Sequence, residues 1–169
     1  IIKIPSGEIN NIPFLEKISK LNKEIILSTG MADMKEIYKA VNILKKNTKL
    51  KKISLLYCVS LYPTKLNELN LLSIKYLQSK FKLNIGLSDH TTSTNVPSLA
   101  VSMGAKIIEK HITLNKKLQG PDHFMSLDPS EFKKMVNLVR KCEISLGKFE
   151  KKPIIKEKKI RIYARKTTV

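Results

Sequence analysis

The amino-acid sequence predicts an α/β fold, specifically part of a TIM-type (β/α) barrel. Short apolar runs rich in β-branched residues recur along the chain, and segments with helical spacing separate them. This alternation predicts parallel strands with crossover helices on the outside. Polar residues follow the end of every run. A barrel gathers all strand ends at one mouth, whereas a doubly wound sheet, the alternative, gathers them only near its switch point.

The periodicity places five strands and five helices. The predicted strands are 1–4, 25–29, 53–59, 84–88 and 106–112. The predicted helices are about 13–21, 37–44, 69–77, 96–103 and 129–146. Asp128 is a capping residue before a proline, and Gly147 stops the last helix. Because a closed barrel has eight strands, we expect a C-terminal five-strand portion from which the N-terminal strands are absent.

The composition is that of a globular domain with a lysine-rich surface. The 169 residues are 42% hydrophobic, and the formal net charge is +18. Only three residues are arginine and 6% are aromatic, so the arginine forks and stacking platforms that bind nucleic acid are missing. We expect no nucleic-acid partner, and a charge that steers small anionic substrates. No apolar run approaches the roughly 20 residues that span a bilayer, so we expect no membrane association and a cytoplasmic location.

The two cysteines carry no recognisable motif. Cys58 and Cys142 lie far apart and form neither a metal-type nor a disulfide-type spacing. A free cysteine without such a pattern behaves as a small hydrophobic residue. We therefore expect both side chains to pack in the core.

Two of the three histidines end successive predicted strands in the same way. Strand residues two apart share a face, so Ser88 lies on the same face as His90, and Glu109 on the same face as His111. If these strands are neighbours, the imidazoles meet and can hold a divalent metal with open positions, which suits polarisation of a carbonyl group. A general-base role and a purely structural role are the alternatives.

Polar loops after the first two strands are candidate anion sites. Lys3, Ser6 and nearby backbone amides could hold a phosphate or a carboxylate. A polar loop that opens a helix explains these residues equally well. Ser28 repeats the pattern after the second strand, and capping of the next helix by Asp33 is the alternative there.

The segment 120–123, Gly-Pro-Asp-His, predicts a turn. It follows His111 by one loop, so Asp122 could lie over the mouth and bind a sugar hydroxyl. For His123 we favour a surface position.

Six motifs taken together resemble the N-acetylneuraminate (sialic acid) synthase family. They are KIPSGE (3–8), ILSTGM (26–31), LYPT (61–64), GLSDHT (86–91), EKH (109–111) and GPDH (120–123). The resemblance covers residues 1 to about 147 in the family's order, and the combination is far more specific than any single motif.

The resemblance implies a carbon–carbon bond-forming transferase. Such an enzyme condenses phosphoenolpyruvate with N-acetylmannosamine and yields N-acetylneuraminate and phosphate. Legionaminic and pseudaminic acid synthases share most of the motifs and are the alternative. A metal-dependent barrel hydrolase, which usually needs more metal ligands, and a non-catalytic metal-binding remnant also stay open.

The resemblance also implies roles for single residues. His90 and His111 would bind Mn²⁺ or Mg²⁺ and act in catalysis with Glu8 and Glu109. The positions that would hold the phosphate and carboxylate of phosphoenolpyruvate are Lys3, Ser6, Ser28 and Ser88. Ser60, a further substrate-binding position, stands where relatives often carry asparagine or another small polar residue. The positions around the sugar are Glu8, Tyr62, Glu109 and Asp122. Glu8 could instead complete the metal shell or handle protons.

The resemblance divides the chain into two parts. Residues 1–147 would be a partial barrel synthase domain, and 148–169 a basic linker towards a missing antifreeze-protein-like domain. It implies a homodimer at full length. The family's first-strand glutamate, its second-strand lysine and the arginine of the appended domain have no counterpart in the 169 residues. We therefore expect the isolated chain to be inactive.

Overall fold

Five parallel strands form one sheet in chain order. The computed structural model describes residues 1–166. The strands are β1 (Ile2–Ile4), β2 (Ile25–Ser28), β3 (Ile53–Cys58), β4 (Asn84–Asp89) and β5 (Ile108–Lys110). Each strand pairs in parallel with the next one along the chain. This order is that of a barrel segment without a switch point, so the predicted partial (β/α) barrel is confirmed.

Six α-helices lie within the described residues. They are α1 (Ile12–Ser19), α2 (Met34–Leu44), α3 (Leu72–Lys80), α4 (Val96–Ser102), α5 (Pro129–Leu146) and α6 (Ile155–Ala164). Helix α5 has the predicted bounds. The Asp128 side chain accepts hydrogen bonds from the Ser130 and Glu131 amides at its start, and Gly147, with φ 57°, follows its end. Asp33 caps α2 in the same manner, as the capping alternative for that segment expected.

The core lies between the sheet and the helices α1 to α4. Along β4, Ile85 and Leu87 face this core and are almost completely buried. The intervening Gly86 and Ser88 lie on the other face, because successive strand residues alternate in direction. One face of the sheet is therefore an apolar core, and the other leads up to the polar strand ends.

Strand β5 is shorter than the prediction of 106–112. The Lys106 amide already bonds to Ile85, so pairing with β4 begins where the sequence predicted it. At the other end, Ile112 forms a parallel bridge with Leu127, and the Leu127 amide donates to the His111 carbonyl. The chain leaves β4 after Lys110 because it pairs with its own returning loop, a non-local contact that local periodicity does not reveal.

The segment after Gly147 was predicted to be a linker. It contains α6, which the sequence analysis did not predict and which has no buried residue. The last three residues of the predicted linker lie outside the described residues. Across residues 1–166, no helix combines the length and the apolar character that crossing a bilayer requires.

We predict that Gly86→Ala destabilises the fold. A Cβ at this position would overlap the Ile107 backbone oxygen and lie 2.6 Å from Leu56 Cδ2. Overpacking of this kind costs about 1–3 kcal/mol in the free energy of unfolding. Urea denaturation followed by circular dichroism measures the loss. Gly7→Ala is the matched control, because a Cβ there meets nothing within 4 Å in the described structure. Equal stability of the two variants would contradict the packing described for β4 and β5.

Candidate active site

Polar residues at or just after the ends of the five strands line one groove at the C-terminal edge of the sheet. The groove encloses about 500 Å³. Its lining residues are Lys3, Pro5, Ser6, Gly7, Ser28, Met31, Cys58, Ser60, Tyr62, Ser88, His90, Glu109 and His111. The strand register explains the convergence, because Ser88 pairs with Cys58 on one side and with Glu109 on the other. All predicted site residues except Glu8 and Asp122 lie in this lining.

A second, larger cavity lies against α4, β5 and α5. It encloses about 570 Å³, and Val101, Met135 and Val139 contribute to its walls. None of the predicted site residues lines it. The groove at the strand ends is therefore the candidate site.

The two imidazoles of the predicted pair lie side by side. The ring centroids of His90 and His111 are 5.6 Å apart, with their planes inclined by 74°. Tyr62 stacks on His90 at 4.1 Å between ring centroids and meets His111 edge-on at 5.8 Å. The expectation that the two strands are neighbours and bring these histidines together is confirmed.

The hydrogen bonds of His90 define its protonation. Nδ1 lies 2.6 Å from the Val59 carbonyl oxygen, which can only accept, so Nδ1 carries the proton. Burial lowers the pKa of His90 from its ordinary value, although the Val59 bond acts in the opposite direction. The imidazole is therefore neutral at pH 7, and Nε2 presents a lone pair to the groove.

Ser88 does not compete for that lone pair. Its hydroxyl donates its one proton to Glu109 Oε1 at 2.7 Å. Ser88 Oγ also lies 3.3 Å from His90 Nε2, but has no second proton to donate. His90 Nε2 is consequently available to a cation or to a proton of a bound substrate.

Asp122 lies beside the second histidine rather than in the groove. Its Oδ2 is 3.8 Å from His111 Nδ1, and both side chains are partly exposed. The turn that carries Asp122 is held by His123, whose Nδ1 lies 2.7 Å from Thr113 Oγ1. His123 is half-buried against the loop that returns from β5 and lies outside the groove lining.

The opposite end of the groove contains Lys3, Ser6 and Ser28, the residues predicted to hold an anion. Lys3 Nζ lies 3.4 Å from Glu109 Oε2. Ser6 Oγ accepts a hydrogen bond from the Gly30 amide at 2.9 Å. In the described part of the chain, Ser28 Oγ is the buried side-chain polar atom without a hydrogen-bond partner. Such orphaned buried groups are rare in folded proteins.

Sequence reasoning did not assign Cys58 or Met31 to the site, and two predicted site residues, Glu8 and Asp122, lie outside the lining. Cys58 was expected in the core and is indeed buried, yet its Sγ lies at the groove floor, 3.2 Å from Ser6 Oγ. Strand parity with Ser60 was a signal that could have found it. Met31 has φ 65° and is 78% exposed, and the ILSTGM motif contains it without a role having been assigned to it. The Glu8 carboxylate accepts a hydrogen bond from Asn11 Nδ2 at 2.6 Å, outside the lining.

The fold and the site together define a partial (β/α) barrel whose strand ends bring a lysine and several serines together with a pair of histidines. A family model described as the NeuB family matches residues 1–151. The chain belongs to the NeuB family, and the resemblance predicted from the six motifs is confirmed.

Similar proteins carry the names of several related synthases. An N,N'-diacetyllegionaminic acid synthase from Campylobacter jejuni is 48% identical, over 100% of this chain and 51% of that protein. A pseudaminic acid synthase from Helicobacter pylori is 42% identical, over 96% of this chain and 48% of that protein. The human N-acetylneuraminate-9-phosphate synthase is 39% identical, over 86% and 40%. The chain spans about half the length of the curated relatives it matches.

A solved structure has the same fold. The N-acetylneuraminic acid synthetase of Leptospira borgpetersenii, determined in complex with citrate, superimposes with a TM-score of 0.88. It is 40% identical in sequence, over 95% of this chain and 56% of that one. The strand-end groove thus belongs to a barrel architecture that this family shares.

We predict that His90 is a neutral imidazole with its proton on Nδ1 at pH 7. The Val59 carbonyl fixes this tautomer, and burial lowers the pKa of the ring. Nitrogen-15 NMR of metal-free protein measures the tautomer, and the His90→Gln variant assigns the signal. An imidazolium spectrum, or a proton on Nε2, would contradict the geometry.

Proposed function

We propose that this chain forms the phosphoenolpyruvate- and metal-binding part of a sialic-acid-type synthase. The proposed reaction joins the methylene carbon of phosphoenolpyruvate to the aldehyde carbon of N-acetylmannosamine. Water is consumed, and N-acetylneuraminate and phosphate are released. The observation that carries the proposal is the meeting of an anion-binding end and a histidine pair in one groove of about 500 Å³.

The anion end supports phosphoenolpyruvate as the shared substrate. Lys3 supplies a positive charge, and Ser6 and Ser28 supply hydroxyl groups near the Gly30 turn. A Cβ on Gly30 would overlap Ser60 Oγ, so this close backbone approach requires glycine. The orphaned Ser28 hydroxyl gains a partner when a phosphate or carboxylate oxygen binds.

The donor set at the other end fits a divalent cation. His90 Nε2 has an unused lone pair, and His111 lies beside it with Asp122 at its other edge. Orientation of a metal-binding histidine by a backbone carbonyl is typical of metal sites. Residues 1–166 contain no cluster of three or more His, Cys, Asp or Glu side chains suited to a metal, so water or substrate oxygens would complete the shell. Mn²⁺ or Mg²⁺ bound there would supply Lewis-acid polarisation of the sugar carbonyl.

The residues between the two ends position the substrates. Glu109 accepts from Ser88 and lies near Lys3, so its carboxylate is fixed between the anion end and the histidines. Tyr62 covers the face of His90, and burial raises the pKa of its phenol, which therefore stays protonated. Asp122, which lies beside His111, would accept a hydrogen bond from a sugar hydroxyl. Catalytic roles for Glu8 and Glu109 remain part of the proposal.

A second candidate function differs from the first only in its sugar substrate. The relative that is 48% identical over the whole chain is named an N,N'-diacetyllegionaminic acid synthase, which favours the aldehyde sugar of that acid. The Leptospira structure, 40% identical, is named an N-acetylneuraminic acid synthetase. Both candidates use the same groove, and the choice of sugar separates them. Assembly of the full-length protein as a homodimer is part of the same proposal.

The test is a phosphate-release assay on the product of the full reading frame. The protein is incubated with phosphoenolpyruvate and Mn²⁺, with N-acetylmannosamine or the competing aldehyde sugars, and the acid formed is identified by mass spectrometry. The proposal expects sugar-dependent phosphate release. Sugar-independent release would identify a hydrolase. Metal binding without release would identify a non-catalytic remnant.

We predict that Ser28→Ala raises KM for phosphoenolpyruvate about tenfold or more, because it removes a hydrogen bond to a charged ligand. The KM for the sugar stays within about twofold, since Ser28 lies at the anion end of the groove. Steady-state kinetics on both substrates measure the difference. Ser54→Ala is the matched control, a buried serine on β3 outside the groove lining. An unchanged KM for phosphoenolpyruvate in Ser28→Ala would contradict the proposed anion end.

A further inference from the structure

A buried ion pair lies on the outer face of the sheet, which is the face that packs against the helices and lies opposite the groove. Lys110 Nζ is 2.8 Å from Asp89 Oδ2, and the two side chains are only 1% and 0% exposed. Asp89 is the last residue of β4 and Lys110 the last residue of β5, and they pair directly across the ladder. Each charged residue precedes a histidine in the sequence. The ion pair and the imidazoles therefore lie on opposite faces of the sheet.

Both charged side chains bind Thr91, the residue that follows His90. Asp89 Oδ1 accepts from the Thr91 amide at 2.9 Å, and Oδ2 lies 3.2 Å from Thr91 Oγ1. Lys110 Nζ also donates to the Thr91 carbonyl oxygen. The His90 carbonyl accepts from the Thr64 amide at 3.0 Å. The two peptide units that follow His90 are therefore held, by Asp89 and Lys110 and by the Thr64 amide.

Stability alone does not account for two buried charges at this point. Replacing a buried ion pair by apolar groups of similar volume is often neutral or stabilising, because the charges no longer need desolvation. The ion pair does supply a specific geometry, because it joins the last residue pair of β4 and β5, where both strands end. A shift of one residue in this register would turn each histidine to the opposite face.

We propose that Asp89 and Lys110 are positioning residues, which fix the His90 and His111 imidazoles at their 5.6 Å separation and direct His90 Nδ1 to the Val59 carbonyl. The pair acts from behind the sheet and touches neither substrate nor cation. The effect on turnover rests on the proposed function. The effect on the imidazoles does not.

The decisive variant is the double substitution Asp89→Asn with Lys110→Met, made in the product of the full reading frame. It removes both charges together, so no unpaired charge is left buried. We expect the melting temperature to fall by only a few degrees, in line with the small net value of buried ion pairs. We expect the nitrogen-15 spectrum of metal-free protein to lose the single Nδ1–H tautomer of His90.

Metal binding and kinetics give independent readouts. Titration with Mn²⁺ alone should show affinity reduced about 10–100-fold, the usual effect of losing a group that orients a metal ligand. In turnover, kcat should fall about tenfold while KM for phosphoenolpyruvate stays within about threefold, because the anion end is untouched. Native tautomer and native Mn²⁺ affinity in a folded double variant would overturn the positioning role.

A milder variant covers the case in which the double variant does not fold. Thr91→Val keeps both charges paired and removes the hydroxyl that faces Asp89 Oδ2 and also accepts from the Ser93 amide at 3.2 Å. The proposal expects a measurable change in the His90 spectrum, and an unchanged spectrum overturns it. The matched control is Lys116→Met with Glu131→Gln, which removes a partly exposed ion pair outside the groove. This control should leave both the imidazole spectrum and Mn²⁺ affinity unchanged.

Failure of the proposed function is distinguishable from failure of this inference. A wild-type protein that releases no phosphate with any sugar refutes the synthase activity. Its imidazole spectrum and that of the double variant still decide whether the ion pair positions the histidines.

Discussion

The parallel register of β3, β4 and β5 is the constraint on which the site depends. It places Cys58, Ser88 and Glu109 in one row across three strands. Because side chains alternate along a strand, the same register places the polar tips on one face and the apolar residues against the helices. The groove therefore forms as a direct consequence of how the core packs.

That register joins the two ends of the groove through polar contacts. Lys3 lies 3.4 Å from one oxygen of Glu109, and Ser88 donates to the other oxygen at 2.7 Å. Ser88 in turn approaches His90, which is anchored to the Val59 carbonyl at 2.6 Å. Glu109 and Ser88 thus connect Lys3, at one end of the groove, to His90 at the other end. Such continuity suits a reaction in which an anionic substrate and a carbonyl must be aligned.

Local sequence patterns predicted most of the fold and the centre of the site. Helix α5 could be placed because Asp128 and Gly147 are strong start and stop signals. The histidine pair could be placed because strand parity and strand order together determine which side chains meet. The early end of β5 could not be predicted, since it depends on a bridge between Ile112 and Leu127, which are fifteen positions apart in the sequence. Helix α6 could not either, because no buried face imposes a periodic pattern on it.

Diffraction from crystals soaked with Mn²⁺ and phosphoenolpyruvate tests the central claim most directly. The account predicts an anomalous manganese peak in contact with the imidazole nitrogens of both His90 and His111, and phosphoenolpyruvate density beside Lys3 and Ser28. Manganese bound elsewhere, or phosphoenolpyruvate outside the groove, would contradict the assignment of this strand-end groove as the site.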